Sequence, residues 1–115
     1  LGPAVRRGDW EWFEIVRWSF MAFLGAEELG VTQANVDDMR KSSRDPNVMR
    51  LVGSGEDMGR MLGLDKDWSY RIIKQVGNYG ESWTKYFGPT TPINLPRGMN
   101  KLWTDGGLMY AMPIR

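Results

Sequence analysis

With 115 residues, the chain is long enough for one domain, and folding can bury about two-thirds of the surface that the unfolded form exposes. Hydrophobic residues make up 42% and charged residues 25%, the balance of a globular fold and not of a disordered one. Lysine plus arginine is 15 against 14 aspartate plus glutamate, and there is no cysteine and no histidine. These counts exclude disulfides, thiol chemistry, a Ser–His–Asp triad and a zinc site built on Cys or His, and they leave no basic stripe for nucleic acid.

The segment "GPAVRR" (2–7) reads as a short extended stretch with Pro3 at its start. Asp9 then caps a long helix over about 10–28, with Glu11 and Glu14 near its positive end. Trp12, Val16, Phe20, Phe23 and Leu24 follow helical spacing, and Phe13, Ile15, Trp18 and Met21 widen the apolar surface beyond one stripe. Such a helix needs cover on more than one side. Its most apolar part, residues 15–26, contains Arg17 and is too short to span a bilayer, so no membrane insertion is expected. Gly30 is the stop signal.

Thr32 predicts the cap of a second helix running to about Lys41, with Val36 and Met39 facing inward. Residues 42–47 are a loop. Asp45 followed by Pro46 starts a short helix that ends near Gly53. Ser54 and Asp57 match a capping box and predict a helix over about 55–62. Asp65 is expected to cap the next helix, in which Trp68, Ile72 and Val76 recur every four residues beside Ile73.

Tyr79, Trp83 and Phe87 repeat the same spacing, so Gly77-Asn78 separates two apolar helical stripes. The stretch "VGNYGES" predicts a tight corner between two helices whose aromatic faces pack together. Three prolines and two glycines make 88–98 an irregular loop. A short helix over about 97–103 would carry Met99, Leu102 and Trp103, followed by a turn and an extended tail. The fold class expected is mostly α: a compact domain of five to seven short helices with at most one short N-terminal strand.

Few motifs point to chemistry. "GSGEDMG" (53–59) has two glycines in Gly-x-Gly spacing but follows a helical stretch, where a dinucleotide site needs a strand, so it reads as a turn. The carboxylates of "DKD" (65–67) read as caps and not as a calcium loop. In "VDDMRK" (36–41), Asp37 is placed to pair Lys41. Glu14, Glu27 and Glu81 are the acids that a glycosidase-type pair would draw on. Six tryptophans and eight methionines are the unusual counts. Helical spacing sends Trp12, Trp68 and Trp83 to the core and leaves Trp10 and Trp18 for a partner or a sugar face.

"VRRGDWEWFEIVRW" (5–18), "AEELGVT" (26–32), "NVDDM" (35–39), "LGLDKDWSYRIIKQVGNYGE" (62–81), "RGMNKLW" (97–103) and "GGLMYAMPIR" (106–115) resemble, in that order, the C-terminal region of the periplasmic solute-binding component of general L-amino-acid ABC transporters. The resemblance departs at Trp10, where an acidic residue is expected, at Pro96, where a charged one is, and at Met112, where a proline is.

The resemblance implies a two-lobed α/β clamshell that closes on a free L-amino acid and delivers it to a membrane permease. It implies no catalysis, no cofactor and a periplasmic location. Residues 1–30 would be the segment returning to the first lobe with its long helix, and 31–115 a helical extension. The groups that grip the ligand lie upstream in that family, so no catalytic, metal or ligand-binding residue is assigned to this chain. With Leu in place of Met at position 1 and no secretory signal, the chain is expected to begin after processing or inside a longer protein. Its expected partners are the upstream lobes or a second copy of itself. A helical interaction module that has lost amino-acid binding is the alternative, and a small carboxylate enzyme or sugar binder a remote third.

Overall fold

A computed structural model describes residues 2–114. Its order is α1 (Trp10–Glu28), α2 (Val36–Ser42), α3 (Pro46–Val52), α4 (Trp68–Val76) and α5 (Tyr79–Phe87), with single 3-10 turns at Arg60–Leu62, Gly98–Asn100 and Trp103–Asp105. The fold is mostly helical, as expected. No strand occurs among the described residues. Leu102 and Met109 form one isolated bridge, and the extended segment expected at 2–7 finds no strand to pair with and ends in a turn closed by the Asp9 amide donating to the Arg6 carbonyl at 3.3 Å.

α1 starts and stops where its end signals place it. The Asp9 carboxylate accepts from the Trp12 amide at 3.2 Å. At the other end Gly30 takes φ +71°. Its amide donates to the Glu27 carbonyl at 3.1 Å, and the Val31 amide donates to the Ala26 carbonyl at 2.8 Å. This pair of bonds satisfies the last carbonyls, and Val31 packs down beside Ala26, both fully buried.

α2 begins later than Thr32. Thr32 and Asn35 cap a preceding turn reciprocally, through Thr32 N–H to Asn35 Oδ1 at 2.7 Å and Asn35 N–H to Thr32 Oγ1 at 3.1 Å. α3 has Asp45 as its cap, bonded to the Asn47 amide at 2.9 Å, and Pro46 in its first turn, as expected. The helix expected over 55–62 is absent. Asp57 instead accepts from the Gly59 and Arg60 amides at 3.2 Å each, and only one 3-10 turn follows. Gly59 presses against Trp68 so closely that an added Cβ would lie 2.7 Å from its ring. Packing on Trp68 thus overrides the capping pattern. The cap of α4 is Asp67 and not Asp65. Residues 97–103 are not one helix but two 3-10 turns joined through Leu102.

α1 is the spine. α4 and α5 both lie along it, and α2 and α3 pack on α4. The core joins Ala22, Ala26, Val31, Val36, Leu51, Val52, Trp68 and Ile73. The buried Ser69 hydroxyl donates to the Leu51 carbonyl and ties α3 to α4. Within α4 the buried face is Trp68, Ser69 and Ile73, whereas Val76 is exposed.

The body measures 40 × 39 × 24 Å with a radius of gyration of 14.5 Å, above the about 13 Å expected for this length. Its accessible surface is 7679 Å², against about 6400 Å² for an ordinary monomer of this mass. The excess has an apolar share. Trp10 is 73% exposed and Trp12 52%. Trp12 therefore departs from its expected core position, because α4 and α5 cover α1 around Ala22–Ala26 and leave its first turns bare.

Candidate functional site

The corner at 76–81 is the most constrained piece of backbone. Gly77 has φ +75° and ψ −163°, a combination that only glycine adopts without strain. Asn78 follows in an extended conformation and caps α5. Its Oδ1 accepts from the Glu81 amide at 2.9 Å, and the Glu81 carboxylate accepts from the Asn78 amide at 2.8 Å. This capping box satisfies two amides that the helix leaves unbonded.

Other contacts lock the corner to its surroundings. Asn78 Nδ2 donates to the Val31 carbonyl at 2.9 Å, just past the end of α1. The Gln33 amide donates to Glu81 Oε2 at 3.2 Å, and its side chain donates to the Lys74 and Gln75 carbonyls at 3.1 Å each. Asn78 is 5% exposed, so its polar atoms are spent on structure and none is offered to a ligand.

The aromatic stripe of α5 faces α1. Tyr79 meets Phe20 and Phe23 edge to face at 6.1 and 5.8 Å, and Tyr79, Trp83 and Phe87 follow in a ladder at 6.4 and 4.9 Å. The two helices of the corner do not primarily face one another, as the sequence had implied. Each lies on the longer helix.

Beside the corner runs an open groove lined by Glu27, Asn78, Gly80, Glu81, Lys85 and Arg97, among others. Arg97 grips both oxygens of Glu27 with its two terminal nitrogens. It also donates to the Asn100 carbonyl at 2.9 Å and stands 5.4 Å from the centre of the Tyr79 ring. Burial pushes the Tyr79 phenol above its usual range, with Arg97 opposing the shift and Glu27 adding to it.

A second polar cluster joins α2 to α4. Asp37 accepts from the Tyr70 hydroxyl and pairs with Lys74, and does not take Lys41 as its partner. Arg40 pairs with Asp67 at 2.9 Å and lies 4.4 Å over the Tyr70 ring. The bond from Lys74, and after it that from Tyr70, hold the Asp37 carboxyl below its usual range. The same bonds to Asp37 raise Lys74 and Tyr70.

The signs follow from linkage. The Asp37 contribution is present above its unfolded pKa and is lost as pH falls through the depressed folded value. The Lys74 and Tyr70 contributions are present below their unfolded values and are lost as pH rises through the raised ones. Asp37→Asn is therefore expected to lower the melting temperature modestly at neutral pH, with the difference from the parent narrowing as pH falls below about 4, the ordinary carboxylate range. Thermal melts of the two proteins across pH check this.

Of the three acids singled out from sequence, Glu27 and Glu81 reach one groove and Glu14 does not line it. Glu27 is held by Arg97, Glu81 by backbone amides, and Glu14 by the Trp18 indole at 3.1 Å and Arg17 at 3.5 Å. Asp65 of "DKD" pairs with Arg71 at 2.7 Å. Among the described residues no group of three or more metal-ligating side chains comes together, and no helix is long and apolar enough to cross a membrane. Arg97, Gln33 and Tyr70 were not legible as site residues, since each is a lone polar residue whose partner is distant in sequence.

No family model matches the chain. Over 117 aligned residues it is 50% identical to the general L-amino acid-binding periplasmic protein AapJ of Rhizobium johnstonii, an alignment spanning all of this chain and 34% of the relative. It is also 50% identical, over 115 residues and again 34% of the relative, to the glutamate/glutamine/aspartate/asparagine-binding protein BztA of Rhodobacter capsulatus. The structure superposes with a TM-score of 0.90 and 50% identity on a periplasmic binding protein of an ABC transporter from Brucella ovis, solved with glutathione bound, covering 96% of this chain and 35% of that one. The chain is homologous to a portion of the amino-acid-binding proteins of ABC transporters.

It spans about a third of the length of these relatives. They are named as binding proteins and not for a catalysed reaction. Within such a protein the geometry above has a plain meaning. The opening residues of "GNYGES" are a structural corner, as the spacing predicted, and Glu14, Glu27, Glu81 and Asp65 are each engaged by a backbone amide or an ion pair.

Proposed function

We propose that this chain serves as the C-terminal helical part of a periplasmic protein that captures free L-amino acids for an ABC permease. Residues 1–30 form the segment and helix that dock on the rest of the clamshell, and residues 31–115 form the helical extension. The observation carrying this reading is the homology at half identity over the whole of this chain, and a third of its relatives, together with the close superposition. The bare first turns of α1 support it, since Trp10, Trp12 and Phe13 want a covering surface. Which amino acid is captured rests with the parts of such a protein that grip it, outside the stretch matched here.

The same bare aromatics favour a second reading for the chain on its own, a homodimer through the start of α1. In an antiparallel arrangement Arg6 and Arg7 of one copy would approach Glu11 and Glu14 of the other, a self-complementary pattern.

One paired experiment tests both readings. The purified chain is titrated with free L-amino acids by calorimetry, and the same sample is run in sedimentation velocity. No saturable heat, with a dimer that Trp12→Lys converts to monomer, is expected. Saturable micromolar binding would overturn the assignment of the grip to other parts of the protein, and a monomer at high concentration would overturn the dimer.

A further inference from the structure

We propose that a cavity between α1, α3 and the C-terminal segment binds a small amphipathic cation of the arylalkylammonium or alkylammonium class. The cavity is about 260 Å³, room for a ligand of roughly ten non-hydrogen atoms. Met21, Leu29, Leu51, Trp103 and Tyr110 supply apolar walls, and Glu28 and Asn47 also line it. Trp103 and Tyr110 stand edge to face at 5.8 Å and remain about half exposed, so ring surface is left for a guest. Aromatic faces attract cations, and a carboxylate beside them adds a charge partner.

Gly25 is the second observation. It lies in the last turn of α1 with ordinary helical backbone and lines the cavity. A glycine costs a helix up to about 1 kcal/mol relative to alanine, less in a last turn than in the interior. No neighbour demands it, because an added Cβ would meet only the Ala111 Cβ at 3.7 Å, an ordinary contact. The missing side chain leaves the cavity open without relieving any clash.

Charge narrows the ligand class. Glu28 forms no ion pair among the described residues, and no described basic residue lines the cavity. Arg17 donates to Met112 Sδ at 3.7 Å without lining the space and is paired with Glu14. Arg50 is bonded to Asn47 at 3.3 Å, likewise without lining the space. A free amino acid entering here would find no cation for its carboxylate among the described residues of the wall. This site is therefore separate from the amino-acid capture proposed above, and neither depends on the other.

The test is a titration of ¹⁵N-labelled protein with phenethylamine, and in parallel with phenylacetate and L-phenylalanine, read by amide and indole NMR shifts. Saturable shifts at Gly25, Leu29, Ala111 and the Trp103 indole are expected with the amine, and weaker binding with the other two. Glu28→Gln should weaken the amine by about threefold to tenfold. Gly25→Leu should abolish binding while circular dichroism stays helical, and Gly25→Ala should weaken it if the larger side chain disturbs the fold. Phenylacetate binding as tightly as the amine, shifts that do not saturate, or unchanged binding in both Gly25 variants would overturn the site.

Discussion

Gly77→Val is expected to cost about 2–4 kcal/mol, from backbone strain of about 1–3 kcal/mol plus the loss of a cap worth about 1 kcal/mol. At φ +75° and ψ −163° a β-branched residue has no comfortable conformation. Its Cβ would also lie 2.5 Å from Glu81 Oε2, the oxygen that accepts from the Asn78 and Gln33 amides. One methyl-bearing carbon thus attacks the turn, the cap of α5 and the tie to the α1–α2 connection together. Urea denaturation measures the total, and the melting temperature should drop by about 10 °C or more. A cycle with Glu81→Ala separates the parts, since removing the carboxylate removes the clash but leaves the strain. A strictly additive cycle would mean that the clash contributes nothing.

The second large effect is expected at Glu27. Glu27→Gln should destabilise by about 2–3 kcal/mol, somewhat below the 3–5 kcal/mol of a fully buried pair broken on one side. The side chains of Glu27 and Arg97 are 14% and 21% exposed. The substitution leaves a guanidinium with the Asn100 carbonyl and the Tyr79 ring but no counter-charge, and its Nε has no hydrogen-bond partner even in the parent protein. Because the pair is largely shielded, the loss should change little between low and high salt. Converting both partners, as Glu27→Leu with Arg97→Met, should recover most of the stability. Recovery there, with loss in the single variant, would identify the pair as a device for docking the 97–100 turn on α1 and not as a net source of stability.

What the sequence disclosed and what it hid divide along a physical line. α1, α3 and the 76–79 corner were legible because their signals are local: Asp9 and Gly30, Asp45-Pro46 and Gly53, Gly77-Asn78. The 54–62 and 97–103 segments carried equally local signals and still failed as helices. Gly59 is fixed by its approach to Trp68, and Leu102 by its bridge to Met109, partners that no window of a few residues contains. Trp12 shows the complementary error. Periodicity reports that a face is apolar, but not whether this chain supplies its cover. The ties of the groove and the corner, Glu27 to Arg97 and Gln33 to the end of α4, join residues far apart in sequence and leave no pattern to read.

The position of α1 as spine has a consequence for how the chain comes to be folded. Within this chain α1 precedes its two main packing partners, α4 and α5, by about forty residues or more. Local contacts allow α2 and α3 to form early, yet they cannot shield Phe20, Phe23 and Leu24. During synthesis or passage in an unfolded form, a helix rich in tryptophan and phenylalanine therefore lacks the cover that α4 and α5 give until residues 68–87 arrive. Apolar surface exposed over such an interval is what holding factors recognise and what promotes aggregation. Shortening it, by a circular permutation that joins α4–α5 directly ahead of α1, is the change that would relieve it.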